Sequence, residues 1–104
     1  MYKSTGMPEF YQEAKRKKLS IIDVREVDEF AAGHVPTAKN YPLSTLAENF
    51  SELDKDQEYY VICQSGGRSA HASEFLSAQG YDVTNVLGGT SAWPGEKEQG
   101  AKKI

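Results

Sequence analysis

The sequence predicts an α/β domain in three layers, a mostly parallel sheet flanked by helices. Three observations carry that prediction. Strand-like and helix-like segments alternate along the chain. The strand-like segments are short and apolar throughout, the mark of strands covered on both faces, instead of alternating between apolar and polar residues. The length, 104 residues, suits one core and leaves no room for a second, so residues 1–104 read as a single domain with a core over about 2–98 and a loose tail over 99–104.

The elements follow in order. Residues 8–18 read as a helix, with Pro8 at the first helical position, Glu9 at the favourable end of the dipole, and Phe10, Ala14 and Lys17 on one face. Residues 19–24, Leu-Ser-Ile-Ile-Asp-Val, read as a strand ending in polar residues. Residues 26–32 form a short helix that Gly33 caps. Residues 38–41 make a short strand closed by Pro42, and residues 44–50 a helix. Glu58-Tyr59-Tyr60-Val61-Ile62 is rich in β-formers and runs directly into Cys63. Residues 68–79 read as a helix closed by Gly80, with Ala72, Phe75, Leu76 and Gln79 spaced for one face. Residues 83–87 are a last strand. Gly88-Gly89 follow, then a helical turn over 91–98 interrupted by Pro94, and a tail from Gly100.

Composition excludes several classes. With 38% hydrophobic and 26% charged residues, the chain is of ordinary globular type. No apolar run approaches the roughly 18 residues of a membrane span. The first residues lack the apolar stretch of a secretory signal, which points to a cytoplasmic protein. A net charge of -3 offers no field for nucleic acid. Lys15-Arg16-Lys17-Lys18 reads as a solvated helix end. The chain has one cysteine, so it has no internal disulfide, no cysteine-rich metal site and no CxxC pair. No metal or cofactor is expected.

That cysteine opens a segment read as strand, loop and helix: Val61-Ile62-Cys63-Gln64-Ser65-Gly66-Gly67-Arg68-Ser69-Ala70. The two glycines let the loop curl so that its N–H groups face inward. The following helix adds donors and the positive end of its dipole. An anion at the loop's centre is stabilised, so the Cys63 thiol should ionise more readily. Arg68 adds a charged fork for an oxyanion. Ser65 and Ser69 offer hydroxyls. An inert cysteine belongs mid-element among apolar neighbours, so Cys63 reads as a nucleophile. Cysteine phosphatases place five residues between Cys and Arg. Here four separate Cys63 from Arg68, a smaller ring that suits a sulfane sulfur better than a tetrahedral phosphate.

With these residues in view, the chain resembles a single-domain rhodanese. The stretch from Asp23 to Pro36, Asp-Val-Arg-Glu-Val-Asp-Glu-Phe-Ala-Ala-Gly-His-Val-Pro, resembles the family's N-terminal signature. Cys63 to Ser69 resembles its active-site loop. Gly80-Tyr81, the stretch Val86-Leu87-Gly88-Gly89-Thr90, and Trp93 resemble its C-terminal signature. Thr37-Ala38 stands where relatives commonly have Gly-Ala, and Tyr41 where a β-branched residue is frequent. The resemblance implies a rhodanese-like three-layer fold and a sulfurtransferase. Cys63 would take sulfur from a donor such as thiosulfate as a persulfide and pass it to cyanide or a thiol. Gln64, Ser65, Gly66, Gly67, Arg68 and Ser69 would bind the donor. Expected partners are a small sulfur donor and a thiol or protein acceptor. No nucleic acid or membrane is expected, and the chain should be a monomer.

Asp23 and Arg25 flank Val24, so both can project to one face of a strand end, where a structural ion pair is favoured over a catalytic charge. Glu29 and His34 fit the same bracing role. His71 lies one turn past Arg68 and is equally suited to substrate or solvent. Tyr81 and Trp93 read as core or interface residues. Gly88-Gly89 lack the Lys-Ser/Thr of a nucleotide loop. Other functions compete with the leading one. A persulfide carrier for a partner protein differs only in acceptor. A cysteine phosphatase or arsenate reductase is disfavoured by loop length and the missing resolving cysteine. An inactive regulatory domain would lack Cys63.

Overall fold

The computed structural model describes residues 2–100. Strand β1 (Lys3–Thr5) leads to helix α1 (Met7–Arg16), strand β2 (Ile21–Asp23), helix α2 (Val27–Ala32) and strand β3 (Lys39–Asn40). A short helix α3 (Leu46–Asn49), extended at both ends by 3-10 turns, precedes strand β4 (Glu58–Ile62), helix α4 (Gly67–Ala78) and strand β5 (Asp82–Val86). The strands form one sheet in the order β1-β5-β4-β2-β3, with every neighbouring pair parallel. The α/β fold expected from the sequence is therefore present.

Two apolar clusters cover the two faces. Ile21, Ile62 and Val86 pack with Phe10 of α1 and Phe30 of α2. Ile22, Val61 and Val83 pack with Leu46 of α3 and with Ala72 and Leu76 of α4. Consecutive residues of one strand thus serve opposite layers, and this is why the strands carry no polar alternation. Tyr81 is buried and donates its hydroxyl to the Phe50 carbonyl at 3.1 Å. Trp93 is half-buried, lies edge-on to Phe10 and Tyr11, and donates to the Glu96 carbonyl.

Several expectations need correction. Strand β1 was not foreseen: Lys3-Ser4-Thr5 carries no apolar signal and exists by backbone pairing along β5. Pro8 is the second helical residue, one place later than expected. The helix expected over 91–98 is a single 3-10 turn, Thr90–Ala92. Pro94 ends it, and the chain runs on irregularly until Glu98 bridges His34 in antiparallel fashion. At the start of the expected tail the Gly100 N–H reaches the Ala31 carbonyl at 2.7 Å; residues 101–104 lie outside the described residues. The basic run is exposed at the end of α1, with Arg16 and Lys17 both near Glu13.

Candidate active site

Cys63 follows the last residue of β4, between the ends of β2 and β5, at the carboxyl edge of the sheet. In open α/β sheets ligands bind beyond this edge. Its Sγ is the focus of the loop. The Gly66 N–H donates to Sγ at 3.0 Å, and Ser69 Oγ lies 3.3 Å away. Ser69 Oγ also lies 3.1 Å from the Gly66 carbonyl. In the thiol form the Cys63 S–H can donate to Ser69 while Ser69 donates to Gly66. In the thiolate form the Ser69 hydroxyl turns its proton to sulfur. Burial pushes the Cys63 thiol up. The Ser69 hydroxyl, with the N–H groups of Ser69, Gly66 and Ser65, outweighs that effect and holds it below its ordinary value.

The backbone that makes this cradle is held from behind. The N–H of Thr90 donates to the Cys63 carbonyl at 2.8 Å, and that of Ser91 to the Gln64 carbonyl at 3.0 Å. Gly89 makes the approach possible: a Cβ there would stand 2.5 Å from both carbonyl oxygens. Its φ of 62° and ψ of -163° belong to a region that glycine alone occupies readily. Gly66, at φ 119° and ψ -15°, turns the loop into α4. The C-terminal glycines therefore serve the cysteine loop, a link that Gly88-Gly89 alone did not disclose.

The charged residues expected around the site are all paired. Asp23 is fully buried and accepts from the N–H, Nε and Nη2 of Arg25, the last at 2.9 Å. Arg25 also donates to the Gly33 carbonyl at 2.7 Å and to Gln64 Oε1 at 3.2 Å. Asn40, which carries no signal of a role in the sequence, donates Nδ2 to the carbonyls of Asp23 and Arg25 and so ties β3 to this strand end. Arg68 does not stand free. It makes a two-pronged pair with Glu29, at 2.7 Å and 3.0 Å. The Arg68 guanidinium, with the Glu26 N–H, depresses the Glu29 carboxyl to about 2. Glu29 also closes a capping box with Glu26 at the start of α2.

His34 is buried, with its Nε2 3.7 Å from Glu98 Oε1. It stacks on Phe30 at 3.7 Å, its Nδ1 lies 2.7 Å from the Phe30 carbonyl, and its backbone pairs with Glu98. His71 is exposed on α4, as are the side chains of Gln64 and Ser65 on the loop.

A parallel five-stranded sheet with a cysteine loop of this kind at its carboxyl edge defines a class of small α/β domain. The chain belongs to the rhodanese-like domain family, whose pattern matches residues 7–96. It is 44% identical over 80 residues to YtwF of Bacillus subtilis (strain 168), covering 77% of this chain and 78% of that one. It is 32% identical over 93 residues to the thiosulfate sulfurtransferase GlpE of Shewanella oneidensis, covering 88% and 92%. Among solved structures, a rhodanese-like domain protein from Staphylococcus aureus superposes with a TM-score of 0.85 at 37% identity, covering 97% of this chain and 99% of that one. Among the described residues no helix is long and apolar enough to cross a membrane.

Proposed function

We propose that the chain is a sulfurtransferase that carries a sulfane sulfur on Cys63. The observation that carries the reading is the placement of Cys63 Sγ, accepting the Gly66 N–H at 3.0 Å in a loop whose other donors also favour its anion. The Cys63 thiolate attacks the outer sulfur of a donor such as thiosulfate. One S–S bond forms on Cys63, the donor's S–S bond breaks, and sulfite departs with the bonding pair. A nucleophile, cyanide or a thiol, then attacks the outer sulfur and restores the thiolate. Such a relay gives two-step, ping-pong kinetics. The N–H groups of residues 64–69 hold the donor and the persulfide anion. Asp23, Arg25, Glu29 and His34 brace the loops that shape the site. The reaction needs a free thiol, which suits the reducing cytoplasm.

The chain has one cysteine, so the bound sulfur cannot be resolved by a second thiol of the same chain and must leave to an external acceptor. The second reading is a persulfide carrier, for which that acceptor is a thiol of a partner protein. Intact-mass measurement after incubation with a sulfur donor tests the proposal. The protein should gain one sulfur atom, lose it to cyanide as thiocyanate, and gain none as Cys63→Ser. Phosphatase turnover without any sulfur gain would refute it. Poor turnover with cyanide beside fast transfer to one protein thiol would select the carrier.

A further inference from the structure

The end of the sheet opposite Cys63 has a concave surface of its own. A cavity of about 390 Å³ lies where residues 18–22, the start of β3 and the stretch leading into β4 meet. That size falls within the roughly 300–1,000 Å³ of small-molecule sites. The strands run parallel, so their amino ends gather here, while Cys63 follows the far end of β4. Tyr59, on the lining, precedes Cys63 by about 13 Å of extended chain. The floor of the cavity is apolar, made by Leu19, Ile22, Leu53 and Tyr59. Its rim is cationic. Lys18 and Lys39 are exposed there, and neither makes an ion pair among the described residues. Glu52 is the single carboxylate on the lining, and it accepts the Tyr41 hydroxyl at 3.2 Å. The lining thus has an excess of positive charge on a chain whose net charge is -3. A neighbouring hollow shares Lys18 and is bordered by Lys15, Arg16 and Lys17, which extend the positive field outward. Thr37 belongs to both hollows and keeps a left-handed φ of 71°, and strained backbone of this kind gathers at binding sites.

We infer that this cavity is a second binding site, separate from the cysteine loop, for an organic monocarboxylate with an apolar body. The carboxylate lies at the rim between the Lys18 and Lys39 ammonium groups. The Ser20 hydroxyl accepts Gln57 Nε2 at 2.9 Å, which leaves its own proton free to donate to the ligand. The apolar body displaces water from the floor. Each part of the lining rejects a different competitor. An inorganic anion leaves the apolar floor unused. A neutral molecule of the same shape leaves the two ammonium groups unused. A dianion meets the Glu52 carboxylate. The site uses no group of the cysteine loop, so the inference does not rest on the sulfurtransferase reading above.

The test is a titration of the whole chain with phenylbutyrate, with the matched alcohol phenylbutanol and with inorganic phosphate, followed through the backbone amide signals by NMR. Phenylbutyrate should give saturable shifts at Lys18, Ser20, Ile22, Lys39 and Gln57 and leave Gly66 and Gly67 of the cysteine loop unmoved. It should bind roughly fivefold more tightly than phenylbutanol, the modest gain expected of exposed charges, and phosphate should move the same amides least. The double variant K18Q/K39Q changes two exposed side chains, so the fold is kept. It should lower the affinity for phenylbutyrate to that for phenylbutanol and leave phenylbutanol binding unchanged. Cys63→Ser should bind phenylbutyrate as the wild type does. Equal affinity for acid and alcohol would overturn the inference, as would phosphate binding as tight as phenylbutyrate or an affinity unmoved in K18Q/K39Q. Shifts centred on the cysteine loop, or on the exposed Val27 and Leu87, would overturn it too. Sulfur gain on Cys63, read by mass, is a separate measurement, so either reading can fail while the other stands.

Discussion

Gly89→Ala is the substitution that most directly tests how the cysteine loop is held. The added methyl carbon would stand 2.5 Å from the carbonyl oxygens of Cys63 and Gln64 and 2.6 Å from the Gln64 carbonyl carbon. All three are backbone atoms, so no side-chain rotation relieves the overlap. The residue would also have to keep a φ and ψ that cost a non-glycine about 1–3 kcal/mol. Relieving the overlap by a shift of the segment also loses the bonds from the Thr90 and Ser91 N–H groups to the loop, each contributing about 1 kcal/mol. The two effects together put the loss at roughly 3–5 kcal/mol, a large share of the ~5–15 kcal/mol that stabilises a domain of this size. Urea unfolding followed through Trp93, the one tryptophan, measures it. Persulfide loading at low temperature, on protein that remains folded, should be impaired as well. Gly67→Ala is the control for stability, because nothing lies within 4 Å of a Cβ there. A Gly89→Ala protein within about 1 kcal/mol of the wild type that loads sulfur normally would show that the loop does not depend on this approach.

Further outcomes follow from the same geometry. Arg25→Met should destabilise the domain by about 3–5 kcal/mol in urea titration, because it leaves the Asp23 carboxylate buried without its partner. Thr37 has a φ of 71°, a left-handed conformation ill-suited to a β-branched residue; Thr37→Asn should raise stability by roughly 0.5–1 kcal/mol, seen as a higher urea midpoint. Alkylation of Cys63 by iodoacetamide should rise with pH to a midpoint below the ordinary thiol value of 9.0, and Ser69→Ala should move that midpoint upward by removing a hydroxyl donor to the thiolate. The Glu29 carboxyl is depressed on folding from 4.5 to about 2. Its contribution is therefore complete above pH 4.5 and is lost as pH falls toward 2, so the fall of stability in that window should be shallower in Glu29→Gln.

The core of this fold was legible because its signals are local. The run Glu58–Ile62 is rich in β-formers, and Gly66-Gly67 mark the turn into a helix, so strand, loop and helix were assigned within a residue or so of where they lie. What escaped the sequence depends on residues far apart in the chain. Strand β1 has no apolar residue of its own and forms only because β5 offers it an edge. The turn after Gly89 was read as a longer helix because Ser91, Ala92 and the charged residues that follow are compatible with one. In the folded chain the N–H groups of Thr90 and Ser91 are spent on the cysteine loop, and Pro94 stops any continuation. The spacing of the loop alone suggests an Arg68 that faces the donor. Its pairing with Glu29 joins residues 39 positions apart, and spacing within the loop carries no trace of it. Asn40 is similar, since nothing around it in the chain hints that its amide secures two carbonyls, one at the end of β2 and one just past it.

The parallel topology also orders events in time. Strand β4, which delivers Cys63, gains its second neighbour only when β5 arrives, and the loop behind the sulfur is secured by residues 90 and 91. A chain emerging from the ribosome therefore holds its cysteine long before it holds the segment that completes the anion-stabilising cradle. Pairing of Lys3 with Thr84 must likewise wait for a residue some eighty positions later. So high a contact order slows folding. It also means that the nascent thiol acquires its folded reactivity only once residues 90 and 91 have reached the loop.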